Sequence, residues 1–271
     1  PRLGAAFLVA VLAATFGLPQ TAQRQNPPEY NEVVAATRIQ DAAARLKEFE
    51  RIKSAFPSAA MMQTIDSYIS SAKVVLAPTL AAVRDLQKAE IASSSGLRRP
   101  SAFVSAAYAI LEHPRIKEFD KAAVQAAVVR YGQEMNKVLA DPESLKEVPE
   151  EQRGRIKTNL VLSLDLAMCT AHVNAGDAAK AFAALEAYKK NGGGSDAPYL
   201  YTLARAQEAS GRTKDAYESF LGAAAESYED AAARAKALYV KINGKADGFE
   251  AALQSRLKAL PFHPEPFAPP D

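Results

Sequence analysis

The sequence predicts an all-α chain of helical hairpin repeats, preceded by a less regular N-terminal helical region. Three observations carry that expectation. Two stretches near the C-terminal end repeat one another at a spacing of 35 residues (211 − 176). Alanine is abundant, tryptophan is absent and strand-favouring runs are few, which argues for helix throughout. Apolar residues also recur three and four positions apart along most of the chain, which places them on one face of a helix. Length suggests about two domains, although an array that grows by adding units is equally consistent. The expected division is 1–22, a signal peptide; 23–95, an N-terminal helical region; 96–148, a middle helical region; 149–260, the repeats with a capping helix; and 261–271, a proline-rich linker or tail.

At the N-terminus, residues 3–18 read LGAAFLVAVLAATFGL, an uncharged apolar run preceded by Arg2 and followed by Pro19-Gln20-Thr21-Ala22-Gln23. A basic start, an apolar core and a small-residue exit are the layout of a secretory signal peptide. The run is short for a membrane span, which needs roughly 20 apolar residues; an uncleaved anchor is the alternative. Cleavage after Ala22 is expected, with Gln20 a mediocre match upstream, and no cysteine follows for lipid attachment. The chain opens on Pro1 without an initiator methionine, as expected of a sequence that starts inside such a peptide. Periplasmic or secreted localisation follows, with no membrane span once the signal is removed.

Residues 29–55 are amphipathic with an expected break near Gln40-Asp41. Helices are expected at 59–76 and 79–91, separated by Pro78, which must start or kink a helix. Ser93-Ser94-Ser95-Gly96-Leu97-Arg98-Arg99-Pro100 is a linker by composition. Phe103, Ala107, Tyr108 and Leu111 then make one apolar stripe, and Val124, Val128, Tyr131, Met135 and Leu139 another, ending at Asp141-Pro142. Pro149-Glu150-Glu151 opens the helix into the repeats, with acids against the positive end of its dipole.

Within the repeats, Met168, Ala171, Gly176 and Ala181-Phe182 with Leu185 recur as Leu203, Ala206, Gly211 and Ala216-Tyr217 with Phe220. Leu164, Met168, Ala171 and Ala175 line one face of the first helix, and the small Ala167 and Ala171 let a second helix approach, with Phe182, Leu185 and Tyr188 filling the space between. Gly176 and Gly211 close the first helices, where positive φ is wanted. Asp177 begins one second helix and Thr213 is the expected N-cap of the other. Asn191-Gly192-Gly193-Gly194-Ser195-Asp196 joins the pairs. A phosphate-cradling reading of these glycines lacks Walker spacing, since Gly244-Lys245 is followed by Ala246 and the position five before Gly244 is Tyr239.

A repeat of about 34 residues built as helix, glycine turn and helix has the tetratricopeptide period, and residues 155–228 resemble two tetratricopeptide repeats. Residues 230–257 around Gly244 fit loosely, as a capping unit would. Leu46, Phe49, Ile52 and Phe56-Pro57-Ser58 resemble the second helix of a degenerate repeat in bacterial exported helical-repeat proteins, or simply the core face of a helix. The resemblance implies a TPR-like α-solenoid that binds a protein or peptide. Some tetratricopeptide domains hold a partner's carboxylate with lysine and asparagine. The corresponding positions here are Leu166, Ala167, Thr170 and Asn174, then Tyr201, Thr202, Arg205 and Glu208, and that clamp pattern is absent. Tyr201, Arg205, Asn174 and Thr170 remain the candidate partner-binding residues; Tyr201 and Arg205 also read as a solvated helix face with an arginine over an aromatic.

Residues 243–250 with Pro261-Phe262-His263-Pro264-Glu265-Pro266-Phe267 resemble the junction at which exported helical-repeat regions hand over to a thioredoxin-like redox domain; they also read as an ordinary proline-rich tail. The resemblance implies a fragment of a longer periplasmic thiol-disulfide oxidoreductase whose catalytic domain lies beyond Asp271.

Charges nearly cancel, with 33 basic and 31 acidic residues, which removes the case for nucleic acid. His113, His172 and His263 lack metal-ligand spacing, and no nucleophile elbow, dinucleotide glycine pattern or Cys-x-x-Cys occurs. Asp165 and Glu186 read as surface charges, and Cys169 as a buried small residue. No catalytic residue, metal or cofactor is expected, and the function indicated is non-catalytic binding.

Overall fold

The computed structural model describes residues 26–228 and 230–259, which are helical with short connections and hold no strand. The predicted signal peptide and the proline-rich tail lie outside these residues. The helices are α1 (Tyr30–Thr37), α2 (Ala42–Ala55), α3 (Met62–Leu76), α4 (Leu80–Ser93), α5 (Arg98–Leu111), α6 (Lys121–Ala140), α7 (Glu150–Asn174), α8 (Ala178–Lys190), α9 (Ala197–Ala209), α10 (Thr213–Ala225), α11 (Ala231–Asn243) and α12 (Phe249–Lys258). They fall into two compact units, split between Glu150 and Glu151.

In the first unit each helix from α1 to α6 packs on the next in sequence. The expected break at Gln40-Asp41 is present because the Asp41 carboxylate accepts the Ala44 N–H at 2.7 Å and starts α2 afresh. Thr79 caps α4 in the same way at 3.2 Å, directly after Pro78. The core stripes close as expected: Phe49 and Ile52 of α2 are buried among Val33, Ala36, Ile65 and Ile69, and Phe49 stacks on Tyr68 at 4.7 Å. Burying each such side chain stabilises the fold by about 1.5–3 kcal/mol. Val124, Val128, Tyr131, Met135 and Leu139 are all buried on α6.

One departure concerns 93–100. Ser93 is the last residue of α4 and Arg98 the first of α5, so the irregular stretch shrinks to 94–97. Pro100 lies in the first turn of α5, where a missing N–H costs nothing, and is buried. A buried polar tie then binds the three helices around it. Gln87 of α4 donates to the Ala106 carbonyl of α5 at 2.9 Å and accepts the Tyr131 hydroxyl of α6 at 2.8 Å.

In the second unit α9 stands between two apolar clusters. Ala206 joins Leu166 and Cys169 of α7 with Ala181, Leu185 and Tyr188 of α8. Ala204 joins Phe220 and Leu221 of α10, Leu238 of α11 and Phe249 of α12. Two alanines on one helix thus admit neighbours on both sides. Gly176 and Gly211 have φ of +80° and +79°, the left-handed conformation their positions demand. Asp177 caps α8 through the Lys180 N–H at 3.1 Å. The expected cap at Thr213 is not formed: Thr213 is already the first residue of α10, and Arg212 precedes it without a side-chain cap.

Candidate functional site

Of the sequence-selected residues, Tyr201 and Arg205 lie on α9 and Asn174 bonds to it. Arg205, half-buried on that helix, donates from Nη2 to Oδ1 of Asn174, the last residue of α7, at 2.5 Å. This bond ties the first helices of the two glycine-closed pairs. No carboxylate pairs with Arg205 among the described residues, so its charge is held by a neutral amide. Burial pulls the guanidinium below the usual arginine range, and the nearby charge of Arg234 pulls the same way, against the opposing effect of the Tyr201 hydroxyl.

Tyr201, one turn before Arg205, packs edge-on to Phe220 at 5.4 Å and against Tyr228 at 4.6 Å. The arginine over this aromatic group is Arg234, not Arg205 as the helix-face reading expected: its guanidinium lies 5.8 Å from the Tyr201 ring centre and 5.6 Å from that of Phe220. Glu208, which shares a helix with Arg205, turns instead to exposed Arg234 at 3.4 Å. The reason is geometric. Arg234 lies at the surface in the first turn of α11, where a carboxylate stays hydrated, whereas reaching Arg205 requires its desolvation.

The remaining aligned positions divide. Thr170 is half-buried. Leu166, Ala167 and Thr202 are buried, so they do not line an open face as the repeat alignment expected. Leu166 belongs to the cluster under α8, and Thr202 satisfies its hydroxyl on the Pro198 carbonyl at 2.7 Å. Arg234 escaped sequence reasoning because the 35-residue spacing leads back from it to Tyr199 (234 − 35), not to another arginine.

Other titratable groups act structurally. Asp165, expected at the surface, is buried and accepts from the Asn191 side chain at 2.8 Å; burial pushes its carboxyl above the usual range, and the Asn191 bond opposes this. Glu186 is exposed. Cys169 is fully buried and its thiol is pushed up to about 12 by burial. His113 is buried, with Nε2 at 3.1 Å from the Val74 carbonyl and Nδ1 accepting the Arg115 N–H at 3.1 Å. His172 is buried on α7, and burial pulls its ring below the usual histidine range. Among the described residues no cluster of three or more His, Cys, Asp or Glu is placed to hold a metal. No helix among them is long and apolar enough to cross a membrane.

The Asn191–Asp196 loop packs closely at Gly193. A Cβ on Gly193 would collide with the Tyr188 ring, and Asp196 caps α9 through the Tyr199 N–H at 3.1 Å. Compared with protein-family models, curated proteins and solved structures, the chain matches none.

Proposed function

We propose that this chain is a non-catalytic helical-repeat scaffold of the bacterial cell envelope, which binds a protein or peptide on the α9 side of its second unit. The observation that carries the reading is the pairing of Arg205 with neutral Asn174, a half-buried charge without a counter-charge. Such an arrangement is costly for folding and is retained most simply for a ligand. Repeats of the tetratricopeptide type suit the 35-residue period and the two glycine-closed helix pairs, and such pairs present surfaces rather than chemistry. The apolar run at 3–18 supports export.

Photo-crosslinking in the producing cell tests it. A benzoylphenylalanine at exposed Ala209, one turn beyond Arg205, is expected to give a discrete adduct, and one at exposed Lys137 on α6 is not. Absence of any adduct from Ala209, or identical adducts from both positions, rejects the scaffold reading.

A further inference from the structure

We infer that Asn191 is a site of self-modification: its side-chain amide is lost to attack by the Gly192 nitrogen, and the carboxylate that replaces it unlocks the end of α8. Asn191 caps that helix and is followed by Gly192, Gly193 and Gly194. Asn191 and Gly192 are both exposed, and Gly192, at φ +93°, carries no side chain to shield its nitrogen. In the reaction the Gly192 nitrogen bonds to Cγ of Asn191 and closes a five-membered succinimide. The amide nitrogen departs as ammonia, taking the Gly192 proton. Water then opens the ring at either carbonyl, giving aspartate, or isoaspartate with the backbone rerouted through the side chain. Water is the only co-reactant and no electron is exchanged.

The fold guards this reaction while the cap is closed and penalises it afterwards. The Gly192 N–H is held by the Lys189 carbonyl at 3.1 Å and the Gly193 N–H by the Tyr188 carbonyl at 2.9 Å, so attack waits for the last turn to open. Helix ends and loops open at little free energy. When the unmodified turn closes again, the Asn191 amide returns to the Asp165 carboxylate at 2.8 Å, a buried group with no other hydrogen-bond donor among the described residues. After conversion the same closure brings carboxylate against carboxylate, and two like charges out of water cannot both be kept. Isoaspartate also adds a backbone atom to the cap. Opening thus becomes one-way. The loop involved carries the Tyr188–Asp196 bond and the Asp196 cap of α9, so the start of α9 loosens with it. Asn243-Gly244 is the contrast: the Asn243 amide bonds the Tyr239 carbonyl of its own helix at 3.0 Å, so conversion there strands no buried carboxylate.

The experiment holds the full chain at mildly alkaline pH and reads conversion at Asn191 by peptide mass mapping, with the chain in urea as the unguarded reference. Conversion is expected within about tenfold of the rate in urea, since only a helix end must open. The aged protein is expected to melt about 4–8 °C below fresh protein, and Asn191→Asp to reproduce that loss without ageing. Asp165→Asn replaces the buried carboxylate by an amide that can donate to the converted residue. Aged Asp165→Asn is therefore expected to melt as fresh Asp165→Asn does, and combining it with Asn191→Asp to restore what Asn191→Asp loses. If Asn191→Asp does not fold, the ageing comparison between parent and Asp165→Asn decides alone. The inference is overturned by no conversion at Asn191 over about ten half-lives of the urea-unfolded chain, or by a fully converted parent that melts as fresh protein does. It also fails if Asp165→Asn loses as much on ageing as the parent.

Discussion

Gly193 presses against the ring of Tyr188: a Cβ built on its backbone would stand 2.1 Å from Cε1. The tyrosine cannot retreat. Its hydroxyl donates to the Asp196 carboxylate at 3.2 Å, its ring stacks on Tyr199 at 5.3 Å, and its carbonyl accepts the Gly193 N–H at 2.9 Å. Gly193→Ala is therefore expected to destabilise the second unit by about 1–3 kcal/mol through overpacking. Gly194→Ala is the control, since a Cβ there meets nothing nearer than the Asp196 nitrogen at 3.9 Å. Urea unfolding followed by circular dichroism separates them; equal midpoints for the two variants reject the packing account.

The polar tie at Gln87 gives a second prediction. Gln87→Met keeps the side-chain length but leaves the buried Tyr131 hydroxyl without its acceptor and removes the bond to the Ala106 carbonyl. A loss of about 1–3 kcal/mol is expected for the single variant. Adding Tyr131→Phe removes the stranded hydroxyl, so the double variant is expected to be less destabilised than the sum of the singles. Strict additivity in unfolding free energies rules out the coupling.

Much of the helical plan was legible because its causes are local. Gly176 and Gly211 stand where φ must be positive, Asp41 and Asp177 cap the helices that follow them, and Phe49 and Ile52 fall on one face by spacing alone. What escaped depends on residues far away in sequence. Asp165 is buried because Asn191, 26 positions on, supplies a donor, and the 3.6-residue period cannot see that partner. Arg205 and Asn174 were both singled out as candidates, yet their direct bond spans 31 positions, and Arg234 entered the group from a helix outside the repeat alignment. The 191–196 loop falls where expected, but the reason for Gly193 lies in close packing against Tyr188, which spacing does not reveal.

His113 makes stability depend on pH. Burial pulls its ring below the ordinary value of 6.5, and the charge of Arg115 pulls the same way, while the Val74 carbonyl and Glu118 oppose. The folded state thus binds fewer protons than the unfolded state. Its contribution is fully present above about pH 6.5 and is lost as pH falls through the lower folded value. Protonation at Nδ1 also destroys the acceptor used by the Arg115 N–H. His113→Gln, whose amide can still donate to Val74, is expected to flatten the fall in unfolding free energy between about pH 7 and 5 relative to the parent. His172 shifts in the same direction but is common to both proteins, so the difference isolates His113. Parallel profiles for parent and variant exclude the role.

The Arg205–Asn174 bond gives a prediction for stability. A half-buried guanidinium paired only with a neutral amide opposes folding, and nothing in the described residues supplies the missing negative charge. Arg205→Met keeps most of the side-chain volume and removes the charge. It leaves behind only Asn174, which sits half-buried at the end of α7 and can turn to water. The variant is expected to gain about 1–2 kcal/mol in unfolding free energy, by analogy with apolar replacement of buried charges. Thermal melts of both proteins decide the matter. A variant that melts lower than the parent identifies Arg205 as a structural residue whose bond to Asn174 holds the unit together.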